Sequence, residues 1–181
     1  MKILFLGYVD CRLLTFLRNS NHVVTQTMRP LKHHYVAEFD LVLSFGYRYI
    51  LVREILAHLK RPAINLHISL LPWNRGADPN YWSFAENTPK GVSIHEIDEG
   101  IDTGPIIYQQ AVDFTAEQNT LALTYQHLIN EIQDLFILHA LILLAGTYTT
   151  RPQIGHGSYH PVTELHLSNG WQTATTEVAR D

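Results

Sequence analysis

Along the first two thirds of the chain, short apolar runs alternate with segments whose apolar positions recur every three or four residues. The runs Lys2–Gly7, His22–Thr27, Asp40–Phe45 and Ala63–Ile68 predict strands, and Gly91–Asp98 and Pro105–Phe114 predict two more joined by a turn rich in Asp and Gly. Helical spacing fits Cys11–Arg18 and Leu51–Leu59, where Leu51, Ile55, Leu56 and Leu59 share one face. A long helix is predicted to start at Thr115, with Gln118 completing a capping box, and to end at Gly146 in the left-handed position. Its stripe is Leu121, Tyr125, Leu128, Ile129, Ile132, Leu135 and Phe136. Two apolar stretches imitate membrane signals. Asp10 and Arg12 interrupt the one from Ile3 to Val9, which reads as a buried strand rather than a signal peptide. The one from Leu135 to Ala145 is too short to span a bilayer and reads as the buried end of the long helix.

Strand and helix in alternation predict an α/β fold: a Rossmann-like, mostly parallel twisted sheet with helices on both faces and an antiparallel edge from the later hairpin. Residues 1–146 form the expected domain, and residues 147–181, with Pro152, Gly155, Gly157 and Pro161, an irregular tail packed on it or extending from it. A length of 181 residues with 46% hydrophobic content suits one domain with a full core and excludes disorder as the main state. Thirteen basic against 17 acidic residues, a formal charge of -4, disfavour nucleic acid and anionic membranes as partners. Cys11 stands alone, which excludes an internal disulfide and fits a reducing, cytoplasmic setting.

Open sheets of this kind hold ligands at the carboxyl ends of their strands. After the first strand, Gly7-Tyr8-Val9-Asp10-Cys11 has neither the dinucleotide fingerprint nor the phosphate-loop lysine, so a bound dinucleotide or ATP is disfavoured. In the fourth strand, alternation puts Asn65 and His67 on one side and Ile64, Leu66 and Ile68 on the other. Such a pair is either hydrogen-bonded in the core or lines a site. The loop Ser69-Leu70-Leu71-Pro72-Trp73-Asn74-Arg75-Gly76 follows, with Asp78 expected to cap a short helix that has Pro79 at its first position. Beyond it, Trp82 and Phe84 either wall a pocket or pack a helix on the core. The turn Asp98-Glu99-Gly100-Ile101-Asp102-Thr103-Gly104-Pro105 fails as a calcium loop, because Thr103 and Gln109 stand where glycine and glutamate are needed.

Asn65-Leu66-His67, the loop Ser69–Gly76 and Gly100-Ile101-Asp102-Thr103-Gly104-Pro105 together resemble the folate-dependent formyltransferases, in order and with near-family spacing from about Asp40 to Gly146. The resemblance implies N10-formyltetrahydrofolate as formyl donor and a primary amine as acceptor. It implies a catalytic set of Asn65, His67 and Asp102. It also implies a cofactor-binding set of Gly46, Tyr49, Ile50, Leu51, Ile97, Asp98, Gly100 and Ile101, and an acceptor-facing set of Ser69, Trp73, Asn74, Arg75, Asp78 and His95.

These residue types suit the chemistry. Formyl transfer to an amine passes through a tetrahedral intermediate with a negative oxygen, so fixed donors such as the Asn65 amide and His67 are needed. A carboxylate such as Asp102 orients the imidazole, and either it or His67 takes the amine proton, directly or through water. Gly7-Tyr8-Val9-Asp10 departs from the phosphate-gripping turn of the glycinamide ribonucleotide enzymes. The methionyl-tRNA enzymes carry an additional carboxyl-terminal domain, whereas 35 residues follow Gly146 here, so a tRNA acceptor is not expected. The phrases Pro72–Asn80, Pro89–His95 and Gly157–His160 look most like the amino-sugar branch, which implies a small or nucleotide-linked amino sugar. Alternatives are hydrolysis of formyltetrahydrofolate, and a folate- or sugar-binding module without turnover. No metal is expected despite 11 histidines, and the long helix could also serve a homodimer.

Overall fold

Six strands pair in the order β2-β1-β3-β4-β6-β7, with β1 (Lys2–Gly7), β2 (Val23–Thr27), β3 (Leu41–Phe45) and β4 (Ile64–His67) mutually parallel. A two-residue strand β5 (Arg75–Gly76) lies outside this sheet; β6 (Gly91–Glu96) and β7 (Ile106–Ala111) continue it antiparallel. The structure is a computed structural model that describes residues 1–165, 167 and 169–178.

The alternation of side chains along the strands splits the core in two. Ile3, Phe5, Leu41, Leu43, Phe45, Ile64 and Leu66 face α1 (Arg12–Asn19) and the long helix, while Leu4, Leu6, Val42 and Ala63 face a 3-10 turn (His33–Glu38) and α2 (Arg53–Leu56). Each fully buried Leu, Ile or Phe contributes about 1.5–3 kcal/mol, and Phe5, Phe45 and Phe136 are among the largest of them. Toward β4 and β6 the second face turns polar: Asn65 pairs with His95 and His67 with Ser93. There the cover is loop rather than helix. Leu71 donates its backbone N–H to Ser93 Oγ (3.1 Å), and Ser93 in turn donates to the carbonyl of Ser69 (2.7 Å).

Several boundaries differ from expectation. The segment Leu51–Leu59 is helical only over Arg53–Leu56, although Leu51, Ile55, Leu56 and Leu59 all pack into one apolar cluster. Then α3 (Pro79–Ala85) starts with Pro79 as expected, but Asp78 makes no side-chain cap and sits in the left-handed region (φ 48°). The long helix α4 (Leu121–Leu138) begins at Thr120, whose hydroxyl accepts from the N–H of Leu123, not at Thr115. Thr115 and Gln118 make their bond (2.9 Å), but the chain closes a turn there and runs extended before the helix. It also breaks at His139, whose ring stacks on Tyr108 at 3.8 Å, before α5 (Ala140–Ala145) ends at Gly146 with φ 72°. Nor is this end wholly buried: Leu138 and Leu141 are 77% and 87% exposed.

The chain beyond Gly146 returns to the domain. Arg151 exchanges backbone hydrogen bonds with Ile106, and β8 (Tyr159–His160) pairs in parallel with β5. A 3-10 turn (Gly170–Gln172) lies against α4. Among the described residues no helix is long and apolar enough to cross a membrane.

Candidate active site

Strand order switches around β1 and β3, and the carboxyl ends of β1, β3 and β4 open there onto a cleft of about 650 Å³. Tyr8, Gly46, Arg48, Asn65, His67 and Ile68 line it from the strand ends. Gly76, Asp78, Asn80 and Asp102 line it from loops and the start of α3, and Tyr125, Gln126, Ile129 and Trp171 wall it on the helix side.

Asn65 and His67 reach the cleft because they alternate with the core residues Ile64 and Leu66 on β4. Asp102 comes from the loop between β6 and β7 and holds a left-handed backbone, φ 52°. Its Oδ1 accepts from Asn65 Nδ2 at 3.1 Å and lies 3.5 Å from His95 Nε2. Its Oδ2 accepts the Gly76 N–H at 2.9 Å and lies 3.7 Å from His67 Nδ1. Burial alone pushes this carboxyl up, but the charge that His67 carries when protonated, the hydrogen bond and charge that His95 offers when protonated, and the Gly76 N–H outweigh it and hold Asp102 well below the usual carboxylate range.

Both imidazoles are oriented by carbonyls, which can only accept. His67 donates from Nε2 to the Asn74 carbonyl at 3.0 Å, so in its neutral form the lone pair is on Nδ1, facing Asp102. His95 donates from Nδ1 to the Glu96 carbonyl at 2.7 Å, leaving Nε2 to accept from Asn65 Nδ2 at 3.1 Å. When that ring is neutral, the two hydrogens of the Asn65 amide are divided between it and a carboxylate.

Of the other residues expected here, Gly46 and Asp78 border the cleft, and burial pushes the Asp78 carboxyl up against an opposing effect of Arg48. Tyr49 and Ile50 are 49% and 60% exposed, and Ile101 is 37% exposed. Their two loops are tied by the Arg53–Glu99 ion pair at 3.2 Å, and Leu51 and Ile97 meet in one apolar cluster. Ile97 and Asp98 line a second recess of about 340 Å³ with Leu56 and Leu59. Gly100 forms the turn, donating its N–H to Asp98 Oδ1 at 3.1 Å. These loops combine apolar surface with the carboxylate of Asp98.

The loop after β4 departs from expectation. Ser69 is buried and donates to the Trp73 carbonyl at 2.7 Å. Asn74 is fully buried, its amide nitrogen donating to Thr88 Oγ1 at 2.7 Å and its oxygen accepting from Ser158 at 3.1 Å. Arg75 donates Nε and Nη2 to Gln153 Oε1, and His95 lies behind Asn65 at 1% exposure. These four brace the site from within instead of facing the cleft, whereas Trp73 is partly exposed at the loop surface. Trp82 and Phe84 pack as the helix reading had it, Trp82 stacked on His160 at 4.2 Å and Phe84 beside Phe114 at 5.6 Å.

Sequence reasoning missed three features of the cleft. Tyr8 and Tyr125 join hydroxyl to hydroxyl across it, and burial followed by this bond pushes the Tyr8 phenol up. Trp171 enters from the segment that carried no pattern, and Gln153 donates to the carbonyls of Asp102 and Gly104, both at 2.8 Å.

Comparison with known proteins bears on the same region. The family model described as "Formyl transferase" matches residues 18–138. A methionyl-tRNA formyltransferase from Thermodesulfovibrio yellowstonii is 37% identical over 126 residues, 68% of this chain and 40% of that protein. The chain therefore spans well under half the length of that curated relative. The crystal structure of formyltransferase PseJ from Anoxybacillus kamchatkensis is 42% identical with a TM-score of 0.92, covering 99% of this chain and 98% of that one. That protein was solved in complex with UDP-4,6-dideoxy-4-formamido-L-AltNAc and tetrahydrofolate. A 4-N formyltransferase from Francisella tularensis, 22% identical with a TM-score of 0.76 over 89% of this chain and 76% of that one, shares the fold.

Proposed function

The chain belongs to the formyl transferase family, and from that premise we propose that it transfers a formyl group from N10-formyltetrahydrofolate to the primary amine of a nucleotide-linked amino sugar. The observation that carries this reading is the meeting of Asn65, His67 and Asp102, within 3.1 to 3.7 Å, at the rim of a cleft formed by strand ends. The folate supplies an activated formyl carbon; the rest of the work falls to the protein's own side chains.

Negative charge develops on the formyl oxygen as the amine attacks, and a donor must meet it. Asn65 is that donor. Its hydrogen to Asp102 is charge-assisted and stays, while its hydrogen to neutral His95 is the weaker bond and the one an oxyanion displaces. The amine proton goes to His67 Nδ1, whose lone pair the Asn74 carbonyl fixes by holding the proton on Nε2. Asp102, held far below the usual carboxylate range, is a poor base but a strong counter-charge for the resulting imidazolium. As the formyl carbon parts from N10, that nitrogen takes a proton, and His67 returns to its neutral form.

The nucleotide-linked acceptor is supported by what else the cleft contains. Arg48 offers a guanidinium of the kind that grips phosphate, and Trp171, 45% exposed, offers an aromatic face for a base. The likeness to PseJ across nearly the whole chain supports the same class. The test incubates the protein with N10-formyltetrahydrofolate and a panel of amines, scored by mass. A gain of one formyl group on nucleotide-linked amino sugars, and little on the corresponding free sugars, is expected. Release of formate with no formylated amine overturns the reading in favour of hydrolysis, and binding of folate without loss of the formyl group overturns it in favour of a binding module.

A further inference from the structure

Asp102 is presented by a loop, in a backbone conformation that side chains other than glycine adopt at a cost, so something must hold it there. The carboxylate is braced by Asn65 and Gly76. The backbone is braced by one residue from the far end of the chain. Gln153 Nε2 donates to the carbonyls of Asp102 and Gly104, both at 2.8 Å, and so uses both of its hydrogens on this loop. Its Oε1 accepts from Arg75 Nε at 3.0 Å and Nη2 at 2.8 Å. Arg75 is next to Gly76, whose N–H binds Asp102 Oδ2 at 2.9 Å. One side-chain amide thus ties together the two loops whose meeting forms the site.

We propose that Gln153 is a positioning residue for formyl transfer: its amide clamps the backbone of the Asp102 loop to Arg75 and thereby sets the Asp102 carboxylate against Asn65, His67 and the Gly76 N–H. Its kinetic consequence rests on the formyl-transfer reading; its geometric consequence does not. The role calls for a carboxamide, since the loop side presents two acceptors and the Arg75 side presents two donors. The clamp is separable from folding of the segment. Arg151 is held by its backbone to Ile106, and Ser158 by hydrogen bonds to Pro72, Asn74 and Arg75, so anchors on either side of Gln153 remain when its side chain is removed.

The experiment compares Gln153→Ala and Gln153→Glu with the parent chain. The glutamate variant keeps an oxygen for Arg75 but has no hydrogens for the two carbonyls. Amide hydrogen exchange is the first readout. The Gly76 N–H, held by Asp102, is expected to lose about tenfold or more of its protection in both variants. The N–H groups of Arg75 and Ala77, held by Ser158 and His160, keep theirs. Turnover on the best amine of the panel is the second. Both variants are expected to lose about ten- to a hundredfold in kcat with KM within about twofold, the size of effect that a misplacement near 1 Å produces. Unchanged protection of Gly76 in Gln153→Ala overturns the proposal whether or not any amine is formylated. So does a Gln153→Glu variant with native kcat, because the bond to Arg75 alone would then suffice. Absence of turnover in the parent chain with Gly76 protection lost in the variants leaves the clamp standing and overturns the formyl-transfer reading instead.

Discussion

The carboxylate of Asp102 and the amide nitrogen of Asn65 meet at 3.1 Å across 37 positions of sequence. Asn65 cannot be removed without consequence on either side of that bond: the formyl oxygen loses its donor, and Asp102 loses a partner. Loss of one oxyanion donor costs about 2.7–4 kcal/mol of transition-state stabilisation. Asn65→Ala is therefore expected to lower kcat by about two orders of magnitude or more, while circular dichroism stays native. A variant that turns over within tenfold of the parent would remove Asn65 from the mechanism.

Asp102 also links stability to pH. Its folded value lies well below that of the unfolded chain, near 3.9 for an aspartate. A carboxylate shifted in that direction contributes stability that is complete above about pH 4 and drains away as pH falls toward the folded value. Urea unfolding of the parent and of Asp102→Asn is expected to show the parent more stable at neutral pH, with the gap closing as the buffer is taken below about pH 4. A gap of constant size across that range would mean that the carboxylate is not held by the charges of His67 and His95.

How much of this could be read beforehand depends on how far each signal reaches along the chain. Strands β1, β3 and β4 are buried on both faces or nearly so, which writes them as apolar runs, and the shared face of Asn65 and His67 follows from alternation alone. Asp102 came only from the family resemblance, because a loop aspartate in a left-handed conformation has no periodicity to betray it. Gln153 and the Tyr8–Tyr125 pair carried no signal: their partners lie 51 and 117 residues away, and a polar residue in an irregular stretch looks the same whether it braces a site or faces water. The inward turn of Ser69 and Asn74 was hidden for the same reason.

The start of α4 shows two local signals in competition. Thr115 and Gln118 have the spacing of a capping box, yet the helix takes Thr120, whose backbone is extended (φ -119°, ψ 158°) and whose hydroxyl meets the N–H of Leu123 at 3.3 Å. Asn119 is pinned just before it by the N–H of Thr175 at 2.9 Å, a contact from the far end of the chain that fixes where the helix can begin. Thr120→Ala is expected to lower stability by about 1 kcal/mol, the usual worth of an N-cap. Thr115→Ala, which leaves the backbone donor to Gln118 in place, is expected to change the urea midpoint by much less. Equal losses at the two positions would place the helix start at neither.

Gly46 tests the other wall of the cleft. Its φ of +70° is one that L side chains adopt at a cost of about 1–2 kcal/mol. A Cβ there would also come within 2.4 Å of the ring of Tyr8. That ring has little room to retreat, since it packs edge-on against Phe45 at 4.7 Å and is tied to Tyr125 through its hydroxyl. Gly46→Ala therefore strains the backbone and displaces a cleft wall together. In a chain of this size each kcal/mol moves Tm by about 2–4 °C, so a fall of several degrees is expected. Asn65, His67 and Asp102 sit on β4 and on the loop beyond β6, not on the displaced wall. KM should consequently rise more than kcat falls, whereas Asn65→Ala acts mainly on kcat. Tyr125→Phe, which keeps the ring and removes the hydroxyl, separates the two causes. It is expected to reproduce part of the KM increase with little change in Tm. A Gly46→Ala variant with native Tm and native KM would show that Tyr8 is free to move aside and that it does not shape the cleft.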